Sequence, residues 1–165
     1  MRGPVAALVM FWSCALNAGA QPARDIPQPA DRELIVNCLG NSGAPAFASD
    51  RACIGLIDHH CADAIGESYG DNPSMINCAS RERVAWDSLR DEYATALHAR
   101  ENASQNASLD ATLAEAQRWT ETRCDYEASF SPGDLERITA ATCLRTQAAE
   151  IALLLHWRLV ERSNY

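Results

Sequence analysis

The sequence predicts an all-α fold, a bundle of about five helices arranged as antiparallel hairpins and stapled by up to three disulfides. Apolar residues recur at helical spacing from residue 31 to about 162, and no alternating strand pattern interrupts them. Turn-forming clusters of Gly, Pro, Asn, Asp and Ser punctuate that periodicity. Six cysteines fall near the expected helix ends.

Each element follows from local chemistry. Residues 21–31 carry three prolines and little that could be buried, which reads as a Pro-rich linker ahead of a helical domain over 32–165. Asp31 is the expected cap of a first helix to about Leu39, with Leu34, Ile35 and Leu39 on one side. The small residues of 40–49 predict a loop. A second helix is expected over 50–67, with Ile54, Ile57, Cys61 and Ile65 at helical spacing. Asn72 before Pro73 is the expected N-cap of a third. That helix carries Ile76, Val84, Trp86, Leu89, Tyr93 and Leu97 on an apolar stripe and mostly charged residues opposite. A polar loop at 102–108 precedes a fourth helix from about Ser108 to Ser129. Ser131-Pro132-Gly133-Asp134 then predicts a capped fifth helix running to about Arg162.

Composition narrows the function classes. All 14 basic side chains among the 165 residues are Arg, so Schiff-base lysine chemistry and a P-loop lysine are excluded. A net charge of −8 and a pI near 4.9 argue against a nucleic-acid surface. Met1 and Arg2, the apolar run from Val5 to Leu16 and the small residues Ala18-Gly19-Ala20 read as a signal peptide over 1–20, cleaved before Gln21. The apolar run is shorter than the roughly 20 residues of a membrane span. Phe11 and Trp12 make a poor lipidation context for Cys14. Cleavage removes one Arg and no acid, leaving 13 Arg against 22 acids and a charge of −9. The expected location is periplasmic or secreted.

Without Cys14 the cysteines are Cys38, Cys53, Cys61, Cys78, Cys124 and Cys143, an even set that reads as disulfides in an exported chain, with fifteen pairings open. Cys53 and Cys61 lie eight residues apart, about 12 Å along one helix, too far for a bridge. Antiparallel neighbours favour Cys38 with Cys53, Cys61 with Cys78 and Cys124 with Cys143, each joining one helix end to the next helix start.

Several segments follow one another in order: Cys53-Ile54-Gly55 with Cys61, then Cys78, Glu82, Trp86-Asp87, Leu89 and Tyr93, then Gln117, Trp119, Arg123 and Cys124, and finally Cys143. Together they resemble the LprI-like lysozyme-inhibitor family. Asp91 stands where that family usually has Asn, and the spacing from Trp119 to Cys124 is short by about one helical turn. The resemblance implies a small exported helical binding protein, not an enzyme, that inhibits a cationic lysozyme-type cell-wall hydrolase. The alternative is an adaptor for another envelope protein with no effect on lysozyme. An acidic chain is drawn to a basic partner by long-range attraction. Glu82, Asp87, Asp91 and Glu92 on the polar face of the third helix, with the 102–108 loop, are the candidate contacts.

Other chemistry has little support. Asp58-His59-His60-Cys61 is the one dense group of metal-ligand types, but adjacent helical histidines point about 100° apart. No metal or cofactor is expected. Asp91 and Glu92 read as a solvated face, not a glycosidase pair, and no nucleophile motif is present. Trp86, Tyr93 and Trp119 are expected in the core.

Overall fold

A computed structural model of the chain describes residues 28–41, 50–66 and 70–163. Residues 1–20, Cys14 and most of the Pro-rich linker lie outside them. The described residues form five helices: α1 (Pro29–Asn41), α2 (Leu56–Ile65), α3 (Asn72–His98), α4 (Ala103–Ala128) and α5 (Leu135–Ser163). A single 3-10 turn, Arg51–Cys53, precedes α2, and no strand occurs among the described residues. All three disulfides join consecutive cysteines, 38 to 53, 61 to 78 and 124 to 143, with Cα separations of 5.9, 5.5 and 5.5 Å. Such bridges persist in oxidising compartments, which is the setting of an exported chain.

Several boundaries depart from expectation for local reasons. Helix α1 starts at Pro29, inside the expected linker, because proline suits a first helical position. Asp31 is not its cap. It lies buried in the first turn, where Arg81 of α3 grips both carboxylate oxygens. The expected second helix is broken at Gly55, whose φ of 95° only glycine tolerates readily. The cap of α3 is Asp71, not Asn72; its carboxylate accepts from the Ser74 amide at 2.7 Å, and hydrogen bonding from the Ser74 side chain, with that amide, holds its pKa below the usual carboxylate value. The expected 102–108 loop is helical, because Asn102 and Gln105 form a reciprocal capping box that starts α4 five residues early. Ser131 does not cap α5; its hydroxyl pairs with Thr139 at 2.8 Å.

The core lies where α1, α2 and α3 meet α5. Ile35, Leu39, Ile57, Trp86, Leu89 and Leu153 fill it, and Ala148, Ala149 and Ala152 let α3 approach α5 closely. Residues 135–161 of α5 are long and apolar enough to cross a membrane by length and composition. Their buried residues face the other helices, which accounts for the hydropathy within the bundle. α4 packs mainly along α5, and the Arg158 guanidinium donates back to Glu101 at the α3–α4 turn.

Candidate functional site: the α3–α4 groove

The motif residues of α2 and α3 converge on one buried carboxylate. Glu82 is fully buried; one oxygen accepts from the Gly55 amide at 2.6 Å and the Trp86 indole at 3.0 Å, the other from the Asp58 amide at 2.9 Å. These amides belong to the exposed-donor end of α2, and the helix dipole there favours a negative charge. Glu82 therefore caps α2 from a neighbouring helix and is closed to any partner, contrary to the expectation that it lies on a polar contact face. Gly55, Trp86 and Leu89 serve the same packing. The Asp58 carboxylate accepts from Arg145 of α5, Cys61 is oxidised, and His59 and His60 are exposed. Among the described residues no group of three or more His, Cys, Asp or Glu is arranged to hold a metal ion.

The remaining α3 carboxylates are exposed or half-buried, and each is ion-paired. Asp87 accepts from Arg90 at 2.6 Å and lies 3.4 Å from Arg83; Asp91 accepts from Arg90 at 2.9 Å. Glu92 is held by Arg32 of α1, whose guanidinium pKa rises through that hydrogen bond. Asp87 and Asp91, together with Arg83 and Arg90, line a groove of about 440 Å³ between α3 and α4. Gln117, Thr120 and Glu121 form its opposite wall, and Leu113, Leu144, Ala148 and Ile151 form its apolar floor. The buried Thr120 hydroxyl on that wall has no hydrogen-bond partner. A partner's polar side chain entering there would meet carboxylates already paired with guanidiniums, beside aliphatic surface.

A second groove, about 370 Å³, runs along the other side of α4. Leu97, Leu109, Leu113, Ile151, Leu154 and Leu155 line it, with the Glu101–Arg158 pair, 3.3 Å apart, on its wall. Both grooves exist because the N-terminal half of α4 is rich in the small residues Ala, Ser and Thr and buries no residue before Thr120.

On α4 the expected site residues disperse. Gln117 donates to Glu121 at 3.3 Å, and Arg123 donates to Glu127 at 2.8 Å, which raises the guanidinium pKa. Trp119 is 61% exposed and is not a core residue. The buried row of α4 is Thr120, Cys124 and Ala128, and Trp119 points about 100° away from it. Tyr93 is half-buried against His156, with ring centroids 5.2 Å apart, and burial pushes its phenol up to about 12. Sequence reasoning passed over Tyr126 and Phe130, which are as exposed as Trp119. Their spacing of seven and eleven residues from Trp119 is the signal that would have found them.

No protein-family model matches the chain, and neither a curated protein nor a solved structure matches it.

Proposed function

We propose that the chain is an exported, disulfide-stapled binding protein, not an enzyme, that engages a cationic lysozyme-type cell-wall hydrolase. The observation that carries this reading is the α3–α4 groove. It gathers Asp87 and Asp91 with Gln117 and Glu121 on a cross-linked frame, in a chain of net charge −8. Long-range attraction would bring a basic partner to this acidic molecule. The groove then offers a shaped receptor for one of its cationic side chains, and shape is what separates inhibition from unspecific association. Residues 1–20 fit the reading as a signal peptide. Mass analysis of the exported protein is expected to show Gln21 as its first residue.

The test is turnover of peptidoglycan by animal-type lysozyme, titrated with the oxidised protein at low salt and at 0.15 M. Saturable inhibition at 0.15 M salt that Asp91→Asn and Glu121→Gln weaken supports the proposal. Inhibition confined to low salt reduces the effect to screened charge attraction.

One observation favours the adaptor reading: Asp87 and Asp91 are already neutralised by Arg83 and Arg90, which lowers the pull of this face on a cation. No inhibition at either salt, with recovery of one endogenous envelope partner, would establish that reading.

A further inference from the structure

A third groove, about 330 Å³, lies between the C-terminal half of α4 and the N-terminal half of α5. Arg123 and Glu127 line it from α4, and Thr142, Cys143, Thr146 and Gln147 line it from α5. Gln147 is only 7% exposed, yet its amide makes no hydrogen bond among the described residues. A buried polar group without a partner is destabilising, and folded proteins almost always supply one. Here no backbone or side-chain group among the described residues supplies it, and the amide borders a groove large enough for a ligand. Its volume falls within the range of about 300–1,000 Å³ typical of small-ligand sites.

The other groups on its walls say what chemistry would complete that amide. Arg123 uses only Nε on Glu127, at 2.8 Å, so its two Nη nitrogens and the second Glu127 oxygen are uncommitted among the described residues. The Thr142 hydroxyl is likewise unused, whereas Thr146 donates back to the Thr142 carbonyl at 2.9 Å. The groove therefore presents an amide, a hydroxyl and an ion pair, with donors and acceptors interleaved and no net charge. A phosphate or a cationic side chain would leave half of these groups unmatched. A neutral ligand dense in both donors and acceptors matches them, which is the chemistry of a saccharide. An amide pairs in both directions with a second amide. Cys143, one turn before Gln147 on the same face of α5, adds apolar surface for a methyl group, so the pair suits an acetamido substituent. Trp119, 61% exposed, stands one turn before Arg123 and about 40° around α4 from it. Its ring gives the end of the groove a flat apolar platform for the C–H face of a sugar, which favours a saccharide over a peptide.

We propose that the α4–α5 groove at Gln147 binds a short saccharide carrying acetamido groups. The Gln147 amide pairs with an acetamido group, the Arg123–Glu127 pair bonds sugar hydroxyls, and the Trp119 indole stacks on a neighbouring ring. The Cys124–Cys143 bridge fixes the two walls, with Cα atoms 5.5 Å apart, so little ordering is required on binding. The site is separate from the α3–α4 groove and does not rest on engagement of a hydrolase.

The experiment is calorimetric titration of the oxidised protein with tri-N-acetylchitotriose, with cellotriose and an uncharged capped alanine tripeptide as further arms. The variants are Gln147→Met, which keeps the length of the side chain without its amide, and Trp119→Ala, which removes an exposed ring. Expected is saturable binding of tri-N-acetylchitotriose alone, weakened about tenfold by Gln147→Met and less by Trp119→Ala. Gln147→Met should also unfold at an unchanged or higher temperature, because it removes a buried group that has no partner. A lower unfolding temperature for Gln147→Met would give the amide a structural role and overturn the proposal. Sugar binding unchanged in both variants overturns it too, by placing that binding elsewhere. No binding of tri-N-acetylchitotriose, equal binding of cellotriose, or Gln147-dependent binding of the tripeptide in its place would each do the same. The assay contains no lysozyme, so its failure leaves the proposed function untouched.

Discussion

Helices α3 and α4 are nearly the same length, 27 and 26 residues, yet they have opposite relations to the core. α3 buries seven side chains, including Trp86, Leu89 and the carboxylate of Glu82. α4 buries three, all in its last nine residues, and turns Trp119 and Tyr126 to solvent. One helix is held by packing and an internal polar knot. The other is held by a disulfide and its contact with α5. Length and helical propensity do not decide which helix is structural; the width of the apolar face does.

The contrast is most sharply broken at Glu82. Replacing it with Ala strands the amides of Gly55 and Asp58 and the Trp86 indole, and the expected loss is about 4 kcal/mol in urea unfolding. Glu82→Gln, which keeps a carbonyl acceptor, should lose less. An equal loss for the two variants would show that the knot is held by charge alone.

Next in size is the staple of α4. Removing the Cys124–Cys143 bridge by changing both residues to Ser releases a loop with a sequence separation of 19, and the expected loss is about 3 kcal/mol. Hydrogen exchange should rise along α4 while α3 stays protected. A uniform rise across both helices would mean that α4 is an integral part of the core.

The pH dependence of α3 is a smaller effect. Burial raises the Tyr93 phenol from an ordinary 10 to about 12, so the folded state holds its proton where the unfolded chain has lost it. This contribution is complete below pH 10 and is lost as pH rises through 12, about 2 kcal/mol in all. With no Lys in the chain, few other groups titrate in that window. Stability curves measured between pH 9 and 12 should flatten in Tyr93→Phe.

The smallest expected effect is at Trp119. Its replacement by Ala should change stability by less than about 0.5 kcal/mol, in contrast to a loss of about 3 to 5 kcal/mol for Trp86→Ala. A large loss at Trp119 would show that the outer face of α4 is packed in solution.

Much of the architecture was legible from the chain itself. Helical periodicity, six cysteines near element ends and the exclusion of a Cys53–Cys61 bridge were enough to anticipate an all-α bundle with consecutive disulfides, because periodicity and bridge geometry are local constraints. Boundaries set by short-range chemistry were harder to read: a capping box at Asn102 looks, residue by residue, like a polar loop. The site was the least legible part. Glu82 and Asp87 share a charged helix, and Trp86 and Trp119 share a residue type, but each pair is divided between interior and surface. Charge and hydropathy state what a side chain prefers. Which donors meet Glu82, and which helix covers Trp86 but leaves Trp119 open, depends on groups brought together across 24 to 27 residues of sequence and more. Tertiary packing alone makes that decision, because a buried carboxylate is stable only where other elements deliver its hydrogen-bond donors.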